Sequence, residues 1–308
     1  MSIEFRKTLD IDESNFQAIQ TIGEHSEVDL INKSDREVDE SALYNHLKDL
    51  EGVDRVESLG IRWTSRLKNV EIIKIFPNLQ ILNICGHNII SLDGLEWFQK
   101  GEYLNIETGR KKYKRNIEKI TQTPIWRMCL DYGQKDDFSA IGKCMSLERL
   151  ELIKSQSPEF YEWSNIPLNY LKFSQCKLTE LRDTAHVKTL NYIMVGACNT
   201  FEKFAGDNSY VKKLIVDGCK RFDICSITTL PEANDVAIVD CAREITISEL
   251  PEHPTITVLK IWAQKLNFDE YVFKKKFPKL KTLDIAKVKK ADRVLLKEAN
   301  MDIEMFIN

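Results

Sequence analysis

Apolar residues recur along this chain in pairs separated by one residue, and the pairs themselves recur. The pattern is plainest from Leu79 onward, where Leu79, Leu82, Ile84, Ile90, Leu92 and Leu95 fall in one short run. The pair returns as Leu59/Ile61, Leu82/Ile84, Leu104/Ile106, Met128/Leu130, Leu150/Leu152 and Leu171/Phe173. It continues as Ile193/Val195, Leu214/Val216, Val236/Ile238, Leu259/Ile261 and Leu283/Ile285, at intervals of 21–24 residues. A third apolar column sits three places earlier, at Val56, Leu79, Ile125, Leu147, Leu168, Leu190, Val211, Ile256 and Leu280; it fails at Gly101 and weakens at Ala233. A spacing of two is that of a short strand with one face buried. A constant period over most of the chain predicts stacked repeats, whereas a doubly wound α/β sheet alternates strand and helix without holding so even a period.

The columns and the place three residues after the second apolar residue resemble the leucine-rich-repeat family, whose pattern is L-x-x-L-x-L-x-x-N/C. The resemblance covers about residues 53–288. It implies an α/β fold: a leucine-rich-repeat solenoid of about eleven repeats, with a curved parallel sheet on its concave side and short helices, turns and loops on its convex side, capped at both ends. Cys176, Cys198, Cys219 and Cys241 hold the Asn/Cys place in four successive repeats. Thr64, His87, Gly109, Gly133, Ser155, Gln264 and Val288 stand there elsewhere, so the outer repeats depart from the family pattern. Stacked one strand spacing apart, about 4.8 Å, the four thiols form a straight ladder. A tetrahedral metal site needs converging ligands, and parallel Cβ vectors do not favour disulfides. Buried structural thiols are expected. Of the other cysteines, Cys85 and Cys129 fall at strand positions expected to point away from the core, and are the expected reactive pair.

Residues 1–52 do not fit the repeat and read as an N-terminal cap. IEFRKTLDI and EVDLINKS read as strands, and residues 41–50 as an amphipathic helix with Leu43, His46, Leu47 and Leu50 on one face and Asp39 or Ser41 as its N-cap. Repeats occupy 53–288, with helical segments expected at 116–121 and 269–277. A helix over 289–299 and a final strand over 301–307 read as a C-terminal cap. With no linker-like segment, one continuous domain is expected.

Composition narrows the function. Lys+Arg is 44 and Asp+Glu 47, for a net charge of -3, which excludes a strong global field toward nucleic acid or anionic membrane. Apolar residues are 43% and charged residues 30%, a soluble globular balance. No apolar stretch suits a signal peptide or a membrane span, so a cytoplasmic protein with reduced thiols and no membrane partner is expected. His25, His46, His87, His186 and His253 are scattered, and no metal, nucleotide or nucleophile motif occurs. No catalytic residue, cofactor or metal ligand is therefore assigned.

The residues beside and between the apolar pairs point out of the sheet. They bring together Tyr103, Arg127, Arg149, Glu151, Tyr170, Lys172, Tyr192, Met194, Lys213 and Ile215. Tyr and Arg are enriched at protein interfaces, and Met194, Ile215 and Ala237 add an apolar strip. The expected function is a non-catalytic scaffold binding a folded protein partner on this face, as an adaptor or an inhibitor such as an immunity protein. The alternatives are nucleic-acid or phosphate binding through Arg110, Lys111, Lys112, Lys114 and Arg115, and substrate recognition within an enzyme complex. Oligomeric state is left open.

Overall fold

A computed structural model describes residues 8–12, 14–31, 39–62, 65, 67–86, 88–109, 115–131, 138–241 and 244–307. The chain divides into two compact units, Met1–Leu150 and Glu151–Asn308.

In the first unit, β1 (Thr8–Ile11), β2 (Glu27–Leu30), β3 (Ser58–Ile61), β4 (Ile81–Ile84), β5 (Tyr103–Ile106) and β6 (Arg127–Asp131) pair in chain order, every pair parallel. The register stacks like on like: Leu59 on Leu82, Leu104 and Met128, and Ile61 on Ile84, Ile106 and Leu130. All of these are at most 1% exposed, and each contributes roughly 1.5–3 kcal/mol of burial. β1 and β2 extend the same two columns, with Leu9 on Val28 on Leu59 and Ile11 on Leu30 on Ile61. The repeat ladder thus begins inside the segment that its sequence period does not reach. The reason is spacing: 19 residues separate Leu9 from Val28 and 31 separate Val28 from Leu59. Between β2 and β3 lies α1 (Glu40–Leu47), whose N-cap is Asp39: its carboxylate accepts the N–H groups of Ser41 at 3.0 Å and Ala42 at 3.1 Å. Leu43 and Leu47 are buried, and His46 Nε2 bonds the Ile19 carbonyl at 2.8 Å.

The next strand, β7 (Arg149–Ile153), leads into the second unit. There follow β8 (Tyr170–Ser174), β9 (Glu180–Arg182), β10 (Tyr192–Gly196), β11 (Lys203–Ala205), β12 (Lys213–Asp217), β13 (Asp235–Val239), β14 (Glu244–Thr246), β15 (Val258–Trp262), β16 (Lys265–Asn267), β17 (Thr282–Ile285), α2 (Lys290–Ala299) and β18 (Glu304–Ile307). β8, β10, β12, β13, β15, β17 and β18 pair in that order, all parallel. β9 with β11 and β14 with β16 form short parallel pairs of their own. Leu171, Ile193, Leu214, Val236, Leu259 and Leu283 stack in one buried column, and Phe173, Val195, Val216, Ile238, Ile261 and Ile285 in the next.

Between β3 and β17 the helical parts of the return segments, among the described residues, are short 3₁₀ turns. The helices expected over 116–121 and 269–277 are 3₁₀ turns at Ile117–Gln122 and Phe273–Lys275. A repeat of this length has few residues for the return, and a 3₁₀ helix rises about 2.0 Å per residue against about 1.5 Å for an α-helix. Aromatic rings fill the space beneath them: Phe201 stacks on Phe222 at 5.5 Å and meets Phe204 edge-on at 5.3 Å.

The turns after β7, β8, β10, β12 and β13 carry their own ladder. Lys154, Gln175, Ala197, Gly218 and Asp240 all have φ between 49° and 64°. Each donates its N–H to the last residue of the following strand: Lys154 to Ser174 O at 2.9 Å, Gln175 to Gly196 O at 2.9 Å, Ala197 to Asp217 O at 2.8 Å, Gly218 to Val239 O at 2.8 Å, and Asp240 to Trp262 O at 2.7 Å. The next residue is Ser155 or one of the four ladder cysteines. Ser155 N–H donates to Cys176 Sγ at 3.3 Å and Cys176 N–H to Cys198 Sγ at 3.2 Å. Each thiol in turn points at strand carbonyls, as Cys176 does to Leu152 O at 3.2 Å and Cys241 to Val216 O at 3.2 Å. The four are at most 2% exposed, and all eight cysteines are free. Burial pushes the Cys241 thiol up to about 11. Contact with Cys198 and then burial raise Cys176 and Cys219.

The expected reactive pair is corrected. Cys129 is 7% exposed, on a strand whose three central residues are all buried, and Cys85 is half-buried with its thiol raised by burial and by Glu107. Cys225, in the 3₁₀ turn Ile224–Thr229, is the exposed cysteine.

Two predictions follow from the turn. Cys198→Ala removes the acceptor of a buried N–H and lowers stability by about 1–3 kcal/mol in urea unfolding. Ala197→Gly relieves a left-handed residue and raises stability by roughly 0.5–1 kcal/mol, whereas Gly218→Ala lowers it by about 1 kcal/mol; at Gly218 an added Cβ meets only Ala197 at 3.7 Å, so that loss is a backbone effect. A third prediction concerns access. Alkylation of the native protein followed by peptide mapping labels Cys225 first, Cys85 slowly, and the ladder cysteines only after unfolding.

Candidate functional site

Alternation along a strand decides which side chains leave the sheet. The five-residue strands of the second unit are buried at their second and fourth positions, so the first, third and fifth point away from the core. Strand pairing then sets these residues side by side in three rows. The first holds Tyr170, Tyr192, Lys213, Asp235 and Val258. The middle row is Lys172, Met194, Ile215, Ala237 and Lys260, and the third Ser174, Gly196, Asp217, Val239 and Trp262.

The apolar members are contiguous. Tyr170 and Tyr192 meet edge-to-face at 4.8 Å, a geometry that locks both rings. Met194 and Ile215 are half-buried neighbours, and Ala237, on the next strand, is 8% exposed. Val239, Val258 and Trp262 extend the patch.

The lysines around this patch are matched from within the unit. Lys172 Nζ lies 2.6 Å from the Glu151 carboxylate. Lys213 Nζ is 2.7 Å from Asp235 and 5.3 Å from the centre of the Tyr192 ring, and the Asp235 hydrogen bond raises its pKa. Lys260 Nζ sits 3.7 Å from the centre of Trp262 and 3.2 Å from Asp284, whose other oxygen accepts the Trp262 indole N–H at 3.0 Å. These exposed or half-exposed pairs add little stability; they hold long side chains in place and leave the patch close to electrically neutral.

Of the residues expected at a binding face, Glu151, Tyr170, Lys172, Tyr192, Met194, Lys213 and Ile215 lie together in the second unit. Tyr103, Arg127 and Arg149 belong to the first. There the Arg127 guanidinium lies 4.8 Å above the Tyr103 ring, and Arg149 is exposed at the start of β7. Ala237 lies beside them, as expected of the apolar strip, and Asp235, Val239, Val258, Lys260, Trp262 and Asp284 complete the second unit's face without having been singled out as partner-binding residues. The missing signal was strand length: Val239 and Trp262 follow the apolar pair, where the sequence leaves open whether the strand continues.

The basic segment divides differently. Arg110, Lys111, Lys112 and Lys114 lie outside the described residues. Arg115 is 3% exposed, with its guanidinium 2.7 Å from Asp131 and bonded to the Asp131 carbonyl. It is therefore a buried partner of β6 and contributes nothing to an exposed basic patch. Among the described residues no group of three or more His, Cys, Asp or Glu could hold a metal ion, and no helix is long and apolar enough to cross a membrane.

No family model matches the sequence, and no curated protein matches it significantly. Solved structures resemble it at low identity. An internalin from Listeria monocytogenes aligns over 92% of this chain and 76% of its own, at 14% identity and a TM-score of 0.47. A leucine-rich-repeat protein from Leptospira interrogans aligns over 97% and 89%, at 12% identity and 0.42. Toll of Drosophila, solved in complex with Spätzle, aligns over 88% of this chain and 38% of its own, at 12% identity and 0.47. The fold is read from the chain itself: a 21–24-residue period, in-register parallel strands and, in four repeats, a cysteine at the turn after the strand are those of a leucine-rich-repeat solenoid fold.

Proposed function

We propose that this chain is a non-catalytic scaffold that binds a folded protein on the open strand face of its second unit. One observation carries the reading: Tyr170, Tyr192, Met194, Ile215, Ala237, Val239, Val258 and Trp262 form an apolar patch on a sheet face against which, among the described residues of the unit, no helix or strand packs closely, while Lys172, Lys213 and Lys260 are paired within the unit. Aromatic and methionine side chains held rigid by neighbours lose little entropy on association and make effective anchors. Such a scaffold suits an adaptor, or an inhibitor that neutralises a toxin or effector in the manner of an immunity protein.

Affinity capture from native lysate tests the reading, with the parent chain beside a Met194→Lys/Ile215→Lys variant and a Tyr103→Ala/Arg127→Ala control. The proposal expects a stoichiometric protein partner whose affinity falls at least ~100-fold in the first variant, while the unfolding midpoint stays put. A partner retained by that variant, or nucleic acid as the sole bound material, contradicts it.

A further inference from the structure

We propose that the segment seated on this face is an amphipathic α-helix of the partner, lying across the strands with an uncharged apolar stripe against Met194, Ile215 and Ala237. The inference rests on the binding role proposed above and specifies what the partner presents.

Three features of the face select a helix. The first is hydrogen bonding. Within β8, β10, β12, β13 and β15 the backbone N–H and C=O groups are engaged by neighbouring strands, so the face offers side chains alone. A partner segment pressed onto apolar side chains must satisfy its own buried backbone groups. An extended peptide cannot do this on a face, since it pairs at a sheet edge. A helix does it internally.

The second feature is dimension. Met194, Ile215 and Ala237 stand in single file on three successive strands, about 4.8 Å apart. A helix advances about 5.4 Å per turn, so successive turns seat on successive rungs. The whole patch from Tyr170 to Trp262 covers four strand steps, about 19 Å, and one five-residue strand, about 13 Å across. That is room for a helix about 10 Å in diameter and roughly 13 residues long.

The third feature is charge. Lys172 and Lys260 bracket the middle row, yet each already holds a carboxylate, Glu151 and Asp284. An acidic partner would have to displace those carboxylates, so an uncharged stripe fits better. At Gly196, beside Met194, an added Cβ would find nothing nearer than the Phe173 carbonyl at 3.8 Å. Between Ser174 and Asp217 the row therefore lacks a side chain at Gly196, and a side chain of the helix can approach the backbone there.

The test is a selection on the immobilised full chain with two displayed libraries, one of random surface positions on a rigid helical scaffold and one of linear random peptides. The expected result is enrichment from the helical library of apolar residues at i, i+3/i+4 and i+7. These binders should weaken at least ~10-fold on Ile215→Glu and on Gly196→Leu, and bind Tyr103→Ala as they bind the parent. Parent-like unfolding of each variant, with Met194→Lys as a second probe of the stripe, separates lost contact from lost fold. Enrichment with a period of two, acid-rich binders, binders indifferent to Ile215→Glu, or no enrichment from the helical library overturns the helix. If the lysate partner is still lost with Met194→Lys/Ile215→Lys, the binding role survives that failure. If the partner is retained, the binding role itself has failed.

Discussion

The turn that follows β7, β8, β10, β12 and β13 is the constraint on which the stacking of these strands depends. There the chain leaves the sheet through a left-handed residue at the surface followed by a buried residue, whose N–H needs an acceptor that water cannot supply. A left-handed residue aims one N–H at the next strand's last carbonyl, and the residue after it aims a second at the next repeat's cysteine sulfur. Sulfur is a weak acceptor, but a buried thiol that also donates to strand carbonyls is fixed in direction. Each rung is completed only by the following repeat, so every repeat is held by its neighbour, as in other stacked-repeat folds.

That local requirement has a consequence at the surface. Turns locked in register lock the strands in register, and the outward side chains become rows with a set spacing. A row of small and flexible apolar groups flanked by aromatic rings and internally paired lysines is costly to leave facing water unless something covers it. The paired charges also mean that attraction over distance is weak. The recognition proposed for this face then rests on contact area and shape.

Much of this was legible in the sequence because burial on one side of a short strand writes a period of two, and stacking writes a second period near 22. Leu171/Phe173 through Leu283/Ile285 are readable on both counts. Leu9/Ile11 and Val28/Leu30 satisfy the first period and break the second, so their place in the ladder needed the pairing itself. The cysteine turn was visible as four residues spaced 21–22 apart, but the positive φ of Gln175 and Ala197 has no signature in those residue types. Arg115 reads as one more charge in a basic run; only the placement of Asp131 on β6 shows it to be buried. Cys129 sits at an outward strand position and is nonetheless covered, which alternation alone does not foresee. Trp262 and Val239 were missed because the sequence does not show how far a strand runs past its second apolar residue.

The most direct test of the account is the salt dependence of partner binding. The dissociation constant of the captured partner would be followed from about 50 to about 500 mM NaCl, for the parent chain and for Ile215→Glu. A neutral apolar face predicts a change of less than about threefold for the parent, with Ile215→Glu weaker throughout. A loss of about tenfold or more with rising salt, or equal affinities for the two proteins, would contradict it.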